Sequence, residues 1–571
     1  MCGIVGCAGA KNAKQVVFEG LKTLEYRGYD SAGIAVSNAE ISIAKNAGKV
    51  DDLAEKIKQL PDAHTAIGHT RWATHGAPNR INAHPHSDAN LRVVAVHNGI
   101  IENFMELKRE LKSKGVEFIS DTDTEVIPQL FAQKLKNFDP FTAFKKTVSK
   151  LEGSYAILAM VKGDRRIFFA RNHSPLVIGK GTHNSENFVA SDVVAFLKHT
   201  KKAIFVQDGD MGFIDKDTIY IESNGHAVNR EINNIKWSVK DAMKNGYSHF
   251  MLKEIYEQSD AVRNTLLDAK IDEFAKNLED EIDIVAAGTS QHAGLAFLYA
   301  SKIKGRLIIS SEFGALYRGG SILAISQSGE TADTLQAARI AHERGEKVYG
   351  LVNVNGSTLT RISDFIIHTH AGPEIGVAAT KTFTSQLAVL YAVDAVMKGN
   401  PRPRFDLNHV ADFDKKMKPL ANELKNVKEL FYIGRGPSVV TAKEGALKLK
   451  ELAYIHAEAY EGGELKHGPL ALIETGTPII AICPNDEHRK KMMGNLEEIK
   501  ARGGKLFIFG ENGDKELEEL SDRFYGLPKI QNEYSPISYI IPLQLLAYHT
   551  AVLLGKDPDK PRNLAKSVTV E

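Results

Sequence analysis

The sequence contains little cysteine: Cys2, Cys7 and Cys483 are the only three in 571 residues. They are too few and too scattered for a disulfide framework, and none forms a CxxC metal pair. The start of the chain lacks a basic segment followed by an apolar one, and no uninterrupted apolar run approaches the roughly 20 residues that span a bilayer. We therefore expect a cytoplasmic protein with no membrane partner.

The sequence also lacks an excess of charge of either sign. It has 72 Lys and Arg against 71 Asp and Glu, for a formal net charge of +1. Bulk electrostatics therefore do not favour nucleic acid as a partner. Hydrophobic residues make up 43% and charged residues 25%, an ordinary balance for a globular protein, and the length suggests about three domains.

Histidines cluster near the amino terminus and raise the question of a zinc site. None shows the HExxH spacing or a paired cysteine set, and core or turn histidines are commoner than ligands. We therefore expect neither a metal nor another cofactor. The histidines concerned are His69, His75, His84, His86 and His97.

Cys2 is the first candidate catalytic residue. Removal of Met1 would leave a chain whose first residue carries both a thiol and a free α-amine. The amine titrates near neutral pH and can act as a base for the thiol, which is a strong nucleophile once ionised. The alternative is that Cys2 is an incidental small apolar residue.

Residue types downstream of Cys2 suit the binding of an amino-acid amide. Arg71 could hold a carboxylate and Asp123 an ammonium group, while the Asn98 side chain and the Gly99 N–H could stabilise an oxyanion. Each has an alternative: Arg71 as a surface cation, Asp123 as a helix N-cap, and Asn98-Gly99 as an ordinary turn.

Together with Cys2, these residues resemble the N-terminal-nucleophile glutaminase domain of amidotransferases. The resemblance covers roughly residues 1–240 and implies an αββα fold, in which two β-sheets lie between layers of helices. It also implies catalytic roles for Cys2, Asn98 and Gly99, and substrate-binding roles for Arg71 and Asp123. Because several amidotransferases share the starting Cys-Gly-Ile, this half identifies an ammonia source without naming the acceptor.

After residue 240 the pattern changes to strands that alternate with helices, which predicts doubly wound parallel α/β domains. The pattern occurs twice, so we predict domains at 1–240, 241–400 and 401–571, with 400–404 as a linker. The predicted strands are Ile282 to Ala287, Ile322 to Ile325, Lys347 to Val352, Phe365 to His368, Leu430 to Ile433, Pro478 to Ile482 and Leu506 to Phe509.

One strand end carries a set of polar side chains suited to a phosphate: Ser326, Gln327, Ser328 and Thr331. In open parallel sheets, ligands lie beyond the carboxyl ends of the strands, where helix N-termini offer N–H groups to anions. The alternative is a plain helix cap. The segment is not a P-loop, because it contains no Gly-Lys-Ser or Gly-Lys-Thr.

The carboxyl-terminal half resembles the paired sugar isomerase domains of the glutamine:fructose-6-phosphate aminotransferase (isomerizing) family, also called glucosamine-6-phosphate synthases. With the glutaminase half, the resemblance covers essentially the whole chain. It is carried by 326–331 (SQSGET), 444–451 (EGALKLKE), 463–469 (GELKHGP) and 561–571 (PRNLAKSVTVE).

This resemblance implies a set of roles for the sugar reaction. Glu451 would move a proton between C1 and C2, His467 of a neighbouring subunit would assist ring opening, and Lys566 would form an imine with the open-chain ketose. Lys448, three residues before Glu451, would lie on the same helical face as Glu451, although a solvated ion pair is the ordinary reading of such spacing.

The resemblance also implies substrate contacts, a gate and an assembly. The contacts are Thr289, Ser290, Ser326, Gln327, Ser328, Thr331, Val377 and Ala565. Trp72 would gate an ammonia passage, although core packing is the ordinary role of such a residue. The chain departs from the family at Ala379, where many members have a serine that contacts the sugar. A homodimer is expected.

The implied activity makes D-glucosamine 6-phosphate and L-glutamate from D-fructose 6-phosphate and L-glutamine, without pyridoxal phosphate, at the start of UDP-N-acetylglucosamine biosynthesis. The rival enzyme hypotheses are a glutaminase that serves another sugar phosphate and an isomerase that accepts free ammonia. A sugar-phosphate-binding regulator is a rival of another class, but it would not need Cys2, Glu451, His467 and Lys566 together.

Overall fold

The computed structural model describes residues 2–72, 76–181, 186–235, 243–301 and 303–568. The chain forms two compact units. Unit 1 comprises Met1–Ala242 and Ala565–Glu571, and unit 2 comprises Met243–Leu564. The further division of unit 2 at residue 400 stays a prediction.

Unit 1 contains two antiparallel sheets. Its strands are β1 (Gly3–Ala8), β2 (Ser31–Ser37), β3 (Ile41–Ala47), β4 (Thr65–Arg71), β5 (His86–Ser87), β6 (Val93–Ile101), β7 (Gly153–Val161), β8 (Ile167–Asn172), β9 (Val177–Lys180), β10 (Asn187–Ala190), β11 (Lys202–Phe205), β12 (Asp210–Ile214), β13 (Ile219–Ser223), β14 (His226–Ala227) and β15 (Asn233–Asn234). The eight-stranded sheet has the order β15-β11-β9-β10-β1-β4-β2-β3, and the seven-stranded sheet has the order β14-β13-β12-β8-β7-β6-β5.

Helices cover the outer face of each sheet in unit 1. They are α1 (Ala13–Leu24), α2 (Ala54–Lys58), α3 (Phe104–Ser113), α4 (Val126–Lys134) and α5 (Pro140–Val148). Helix α1 packs closely on the first sheet because Gly68 has no side chain; a Cβ there would lie 2.6 Å from Val17 Cγ1.

Neighbouring residues of β8 show the layering. Phe168 packs against Phe131 of α4 and Phe144 of α5, whereas Phe169 points into the core between the sheets. The αββα fold is therefore confirmed.

Unit 2 contains two parallel sheets of five strands. The strands are β16 (Asp283–Ala286), β17 (Leu307–Ile309), β18 (Ile322–Ser326), β19 (Val348–Val352), β20 (Phe365–His368), β21 (Glu429–Gly434), β22 (His456–Glu461), β23 (Pro478–Cys483), β24 (Lys505–Glu511) and β25 (Arg523–Leu527). Their orders are β17-β16-β18-β19-β20 and β22-β21-β23-β24-β25. If the strands of each sheet are numbered 1 to 5 along the chain, both sheets have the order 2-1-3-4-5. The predicted pair of doubly wound domains is confirmed.

Helices flank both sheets and fill the core that the sheets share. They are α6 (Phe250–Tyr256), α7 (Gln258–Leu266), α8 (Lys270–Asn277), α9 (Gly288–Ala300), α10 (Phe313–Leu316), α11 (Ala332–Glu343), α12 (Thr358–Ile362), α13 (Lys381–Met397), α14 (Val410–Leu424), α15 (Ser438–Ala453), α16 (Arg489–Lys500), α17 (Lys515–Leu520) and α18 (Pro536–Leu553).

The most apolar of these helices is α18. Within the described part of the chain, the stretch Asn532–Leu553 is the one helix long and apolar enough to cross a membrane, and 89% of its apolar window is buried inside the protein. It packs against α14 and α15 in the central core of unit 2. Burial in the core therefore accounts for its composition.

Candidate active sites

Strand register in unit 1 brings Cys2 to Arg71 and Trp72. Gly3 of β1 lies opposite Thr70 of β4, so the residue before β1 meets the carboxyl end of β4. The Trp72 N–H donates to Cys2 Sγ at 3.2 Å, and the thiol lies 3.5 Å from the Trp72 carbonyl oxygen. The backbone of Trp72, the predicted gate residue, therefore holds the candidate nucleophile Cys2 in place.

The environment of Cys2 favours the neutral thiol. Burial raises its pKa and Asp123 adds to the increase, whereas the Trp72 N–H and Arg71 act in the opposite direction. A thiol in this state needs a base close to it before it can attack. The α-amine that removal of Met1 would expose is such a base, and Met1 itself lies outside the described residues.

Asn98 and Gly99 are not a turn, as their alternative reading proposed, but lie inside strand β6. Asn98 Nδ2 donates to the Cys2 carbonyl oxygen at 2.9 Å, and an amide nitrogen has a second hydrogen left for a ligand. Gly99 has φ +116°, and a Cβ there would lie 1.9 Å from the Ser154 carbonyl oxygen. Only glycine fits at this position of β6, which directly follows the Asn98 donor beside Cys2.

Arg71 and Asp123 are both buried, which contradicts the alternatives proposed for them. The Arg71 guanidinium donates to the Gly76 and Ala77 carbonyl oxygens at 3.1 and 3.3 Å. Asp123 does not cap α4; its Oδ2 accepts the Ile101 N–H at 2.8 Å. Because both charges act on the Cys2 thiol, the site has the cation and the carboxylate that an amino acid requires.

The predicted histidine cluster is a buried hydrogen-bonded group. The His69 and His84 rings stack at 4.0 Å, and the His84 and His86 rings meet at 4.8 Å. Burial lowers the pKa of all three, that of His69 to about 3, with further lowering from Arg71. In the described ranges no group of side chains could hold a metal ion, and His75 lies outside them.

These histidines hold the loop that carries Asp123, a role that the sequence analysis missed. His86 Nε2 lies 3.2 Å from Thr122 Oγ1, and His97 Nδ1 lies 3.0 Å from Thr124 Oγ1. The carboxylate between the two threonines is thus fixed from both sides. The signal in the sequence was the occurrence of these histidines together with Thr122 and Thr124, but we considered the histidines only as metal ligands.

In unit 2 the candidate site lies where strand order reverses. Strands β16 and β18 run side by side in the same direction, and their chains leave toward opposite edges of the sheet. A crevice at the carboxyl ends of such strands is the usual ligand site of an open α/β sheet. Thr289 and Ser290 are at this edge, in the first turn of α9.

The loop after β18 is more than a helix cap. Ser326 Oγ accepts the Gly329 N–H at 3.0 Å and lies 3.1 Å from Thr331 Oγ1. Thr331 occupies the N-cap position of α11, yet its side chain does not cap the helix. Ser328 Oγ accepts the Glu330 N–H at 3.1 Å, and Gln327 is half-buried. The hydroxyls and the helix N-terminus together suit a phosphate.

A buried ionic network joins this edge to helix α15. Lys448 Nζ lies 2.6 Å from Glu451 Oε2, 3.3 Å from Glu444 Oε1 and 3.1 Å from Thr289 Oγ1. The side chains of Lys448 and Glu444 are fully buried, whereas that of Glu451 is 21% exposed. The prediction that Lys448 and Glu451 share a helical face is confirmed, and the solvated ion pair is the wrong interpretation.

The sequence analysis missed Glu444 and His292. Glu444 accepts hydrogen bonds from Thr289 Oγ1 at 3.0 Å and from His292 Nδ1 at 2.7 Å. Burial disfavours both charges, but Lys448 lowers the pKa of Glu444, and Glu444 with Glu451 raises that of Lys448. The signal was the spacing of Glu444, four residues before Lys448, which marks a second partner on the same face.

The remaining predicted residues are less closely tied to this network. Ser290 Oγ accepts the Gln386 amide at 3.0 Å, and the buried Val377 donates its N–H to the Asp559 carbonyl oxygen at 3.2 Å. His467 is exposed at the end of the short 3₁₀ helix Glu464–His467. Ala565 and Lys566 are grouped with unit 1, so their part in the sugar site stays a prediction.

Comparisons with known proteins agree with the two kinds of site. A glutamine amidotransferase domain model matches residues 69–198, and a SIS domain model matches residues 278–394 and 423–554. Proteins of Pyrococcus horikoshii and Thermococcus kodakarensis, both called glutamine:fructose-6-phosphate aminotransferase (isomerizing), are 48% and 47% identical, with all of each chain covered. A solved carboxyl-terminal domain of the Francisella tularensis glucosamine-fructose-6-phosphate aminotransferase is 36% identical, with a TM-score of 0.51, and the match covers 56% of this chain and 100% of the solved one.

Proposed function

The chain belongs to the glutamine:fructose-6-phosphate aminotransferase (isomerizing) family, and we propose that Cys2 carries the first half of its reaction and the Lys448–Glu451 pair the second. The enzyme converts D-fructose 6-phosphate and L-glutamine into D-glucosamine 6-phosphate and L-glutamate. Glutamine is the substrate of the amidotransferase domain and the sugar phosphate that of the SIS domains.

In the first half-reaction, the Cys2 sulfur attacks the side-chain amide carbon of glutamine. Arg71 holds the substrate carboxylate and Asp123 its ammonium group, while Asn98 Nδ2 and the Gly99 N–H stabilise the oxyanion. The carbon–nitrogen bond breaks, ammonia leaves with a proton supplied by the Cys2 α-amine, and water then hydrolyses the thioester to glutamate. The position of Asn98 beside Cys2 supports these roles.

In the second half-reaction, the Lys566 amine forms an imine at C2 of the open-chain ketose with loss of water, and ammonia then adds to C2 and displaces the lysine amine. Glu451 then removes a proton from C1 and returns it to C2, which leaves a 2-amino aldose phosphate. Ser326, Gln327, Ser328 and Thr331 hold the phosphate, with Thr289, Ser290, Val377 and Ala565 around the sugar. His467 of a neighbouring subunit assists ring opening, and Lys566 forms the imine that holds the open-chain ketose.

The observation that carries the second assignment is the hydrogen bond from Lys448 Nζ to Thr289 Oγ1. This bond connects α15, the helix that bears Glu451, to the carboxyl-terminal edge of the sheet that contains β16 and β18. The loop after β18, which we propose binds the phosphate, begins at the same edge. A helix that supports only its own sheet would not need a fully buried cation at this point, because burial of a charge is costly unless it is paired.

We further propose that ammonia passes from Cys2 to the sugar without entering bulk water, with Trp72 as the gate. Ammonia attacks only as the neutral base, and most of it is protonated in water near neutral pH. We also propose a cytoplasmic homodimer that binds no nucleic acid and needs no cofactor. The near-zero net charge supports the absence of a nucleic acid partner.

Product analysis tests the proposed function directly. The purified protein is incubated with L-glutamine and one ketose phosphate at a time: D-fructose 6-phosphate, D-tagatose 6-phosphate or D-ribulose 5-phosphate. We expect equal amounts of glutamate and D-glucosamine 6-phosphate with the first substrate alone. Glutamate without an amino sugar would show that the acceptor is a different molecule.

A further inference from the structure

Unit 2 contains a basic cavity that the aminotransferase reaction does not use. We call it the Tyr454 cavity. It has a volume of about 380 Å³. Its lining consists of Lys425, Val427, Lys428, Ala453, Tyr454, Ile455, Leu554, Lys556 and Arg562. The lining thus includes four cationic side chains and no acidic one.

Two cations of the Tyr454 cavity lie close together. The Arg562 guanidinium lies 4.3 Å from the centre of the Tyr454 ring, and the Lys556 ammonium lies 5.4 Å from the same centre. The two charges are therefore within about 10 Å of each other, a distance at which physiological salt screens repulsion only in part.

Internal partners do not neutralise these charges. Among the residues that the structure describes, none of the four cations forms an ion pair, and Lys425 Nζ donates to the neutral Asn422 Oδ1 at 2.9 Å. Arg489, by contrast, is paired with both Asp514 and Glu516. An external anion would supply the charge that the cavity lacks.

The size of the cavity indicates the class of anion. Small-molecule sites usually have volumes of about 300 to 1,000 Å³, so the Tyr454 cavity is at the lower end of that range and larger than one phosphate needs. Four cations around it match a ligand with several phosphate groups. We propose that the Tyr454 cavity binds a small polyanion that carries a diphosphate or triphosphate group.

The position of the cavity connects such a ligand to the sugar reaction. Tyr454 directly follows α15, the helix of Lys448 and Glu451, and its φ of 61° is left-handed, which is uncommon for a residue other than glycine. Its hydroxyl accepts the Arg562 N–H at 2.7 Å. Arg562 in turn begins the tail that carries Lys566. We infer, resting on the proposed role of Lys566, that a bound polyanion acts on the sugar half-reaction through Arg562.

Calorimetric titration of the full-length protein tests the site. The probes are tripolyphosphate, pyrophosphate and inorganic phosphate, at matched ionic strength and without divalent metal. We expect one tripolyphosphate per chain, with affinity that falls in that order. The double variant Lys428→Gln/Lys556→Gln should bind tripolyphosphate at least about tenfold more weakly. Both lysines are exposed, so the fold should tolerate these changes.

The matched control is Lys491→Gln, an exposed lysine of α16 that does not line the cavity. Its affinity for tripolyphosphate should stay that of the unmodified protein. Binding that persists unchanged in the double variant would place the anion elsewhere, including at the Ser326 loop, and would overturn the proposal. Titration heats that depend on ionic strength and do not saturate would also overturn the proposal.

A rate measurement tests the regulatory part. Saturating tripolyphosphate should change ammonia-dependent synthesis of glucosamine 6-phosphate in the Lys491→Gln variant, and the change should be lost in the double variant. Glutaminase turnover should not respond in either. An equal effect on synthesis in both variants, or none in the control, would overturn the coupling to the sugar half-reaction.

Discussion

Lys448 Nζ lies 2.6 Å from Glu451 Oε2, so a fully buried cation contacts a carboxylate that is partly exposed. The ammonium contacts the buried Oε2 of this carboxylate, and we propose that the other oxygen faces the substrate. Glu444 Oε1 lies 3.3 Å from the same ammonium. The pair therefore presents one carboxylate at a fixed place, which is what proton transfer between two adjacent carbons needs.

Replacement of Glu451 by glutamine should stop sugar formation and spare glutaminase turnover. The amide keeps the size of the side chain but cannot accept the C1 proton. We expect glucosamine 6-phosphate formation to fall by at least about 10²-fold, both with glutamine and with ammonia. The measurement follows glutamate and amino sugar separately. Unimpaired sugar product would remove Glu451 from its proposed role.

Replacement of Glu444 by glutamine should destabilise unit 2, because it removes one of two anions beside a fully buried lysine. We expect a loss of about 3 kcal/mol in the free energy of unfolding, measured by urea denaturation. The control is Glu461→Gln, which removes a half-exposed partner of Lys443 at 3.3 Å and should cost less than about 1 kcal/mol. Equal losses in the two variants would mean that burial of Lys448 does not make its pairing essential.

Replacement of Asn98 by alanine should affect only the use of glutamine. It removes a side-chain donor beside Cys2, and the loss of one oxyanion donor lowers kcat by about 10² to 10³-fold. Asn103 of the same unit donates to the Lys150 carbonyl oxygen instead, so Asn103→Ala should keep glutaminase kcat. If Asn98→Ala changed only KM, Asn98 would be a ground-state contact and not an oxyanion donor.

Acid should destabilise unit 1 through its histidines. Burial lowers the pKa of His69, His84 and His86 below the ordinary value of 6.5, so the unfolded chain binds protons that the folded chain does not. The contribution of these histidines to the free energy of unfolding is therefore fully present above pH 6.5. It decreases as the pH falls below 6.5, by up to about 1.4 kcal/mol per pH unit for each histidine.

The variant His86→Gln tests this account. Its urea midpoint should fall less steeply than that of the unmodified protein as the pH decreases from 6.5 toward 4.5, by about one histidine's share. The same change at the exposed His226 should leave the slope as it is. A slope that His86→Gln does not reduce would mean that His86 is protonated in the folded protein.

Much of the fold of unit 2 could be predicted because its inner strands are apolar runs. The inner strands β18 and β23 were each one residue longer than predicted, and one edge strand, Phe365–His368, was predicted with its bounds because it too is an apolar run. The strands that were missed, β17, β22 and β25, are all at sheet edges. An edge strand is exposed on one side, so its sequence need not form an apolar run.

The candidate sites were predicted less completely, for a different reason. The oxyanion role of Asn98 and Gly99 stays a prediction, and the sequence could not show that the two residues continue a strand instead of forming a turn. The roles of Glu444 and His292 depend on contacts between residues more than 150 positions apart. Such contacts exist only once the two sheets of unit 2 have packed, and no local pattern encodes them.

Isotope transfer tests the central claim, that nitrogen freed at Cys2 is delivered to the sugar. The protein is incubated with fructose 6-phosphate, amide-¹⁵N glutamine and an excess of unlabelled ammonia. The ¹⁵N content of the glucosamine 6-phosphate is then measured by mass spectrometry. We predict that the product carries ¹⁵N, and that a Cys2→Ala variant makes only unlabelled product from ammonia. Unlabelled product from the unmodified protein, with ¹⁵N in bulk ammonia, would contradict the claim.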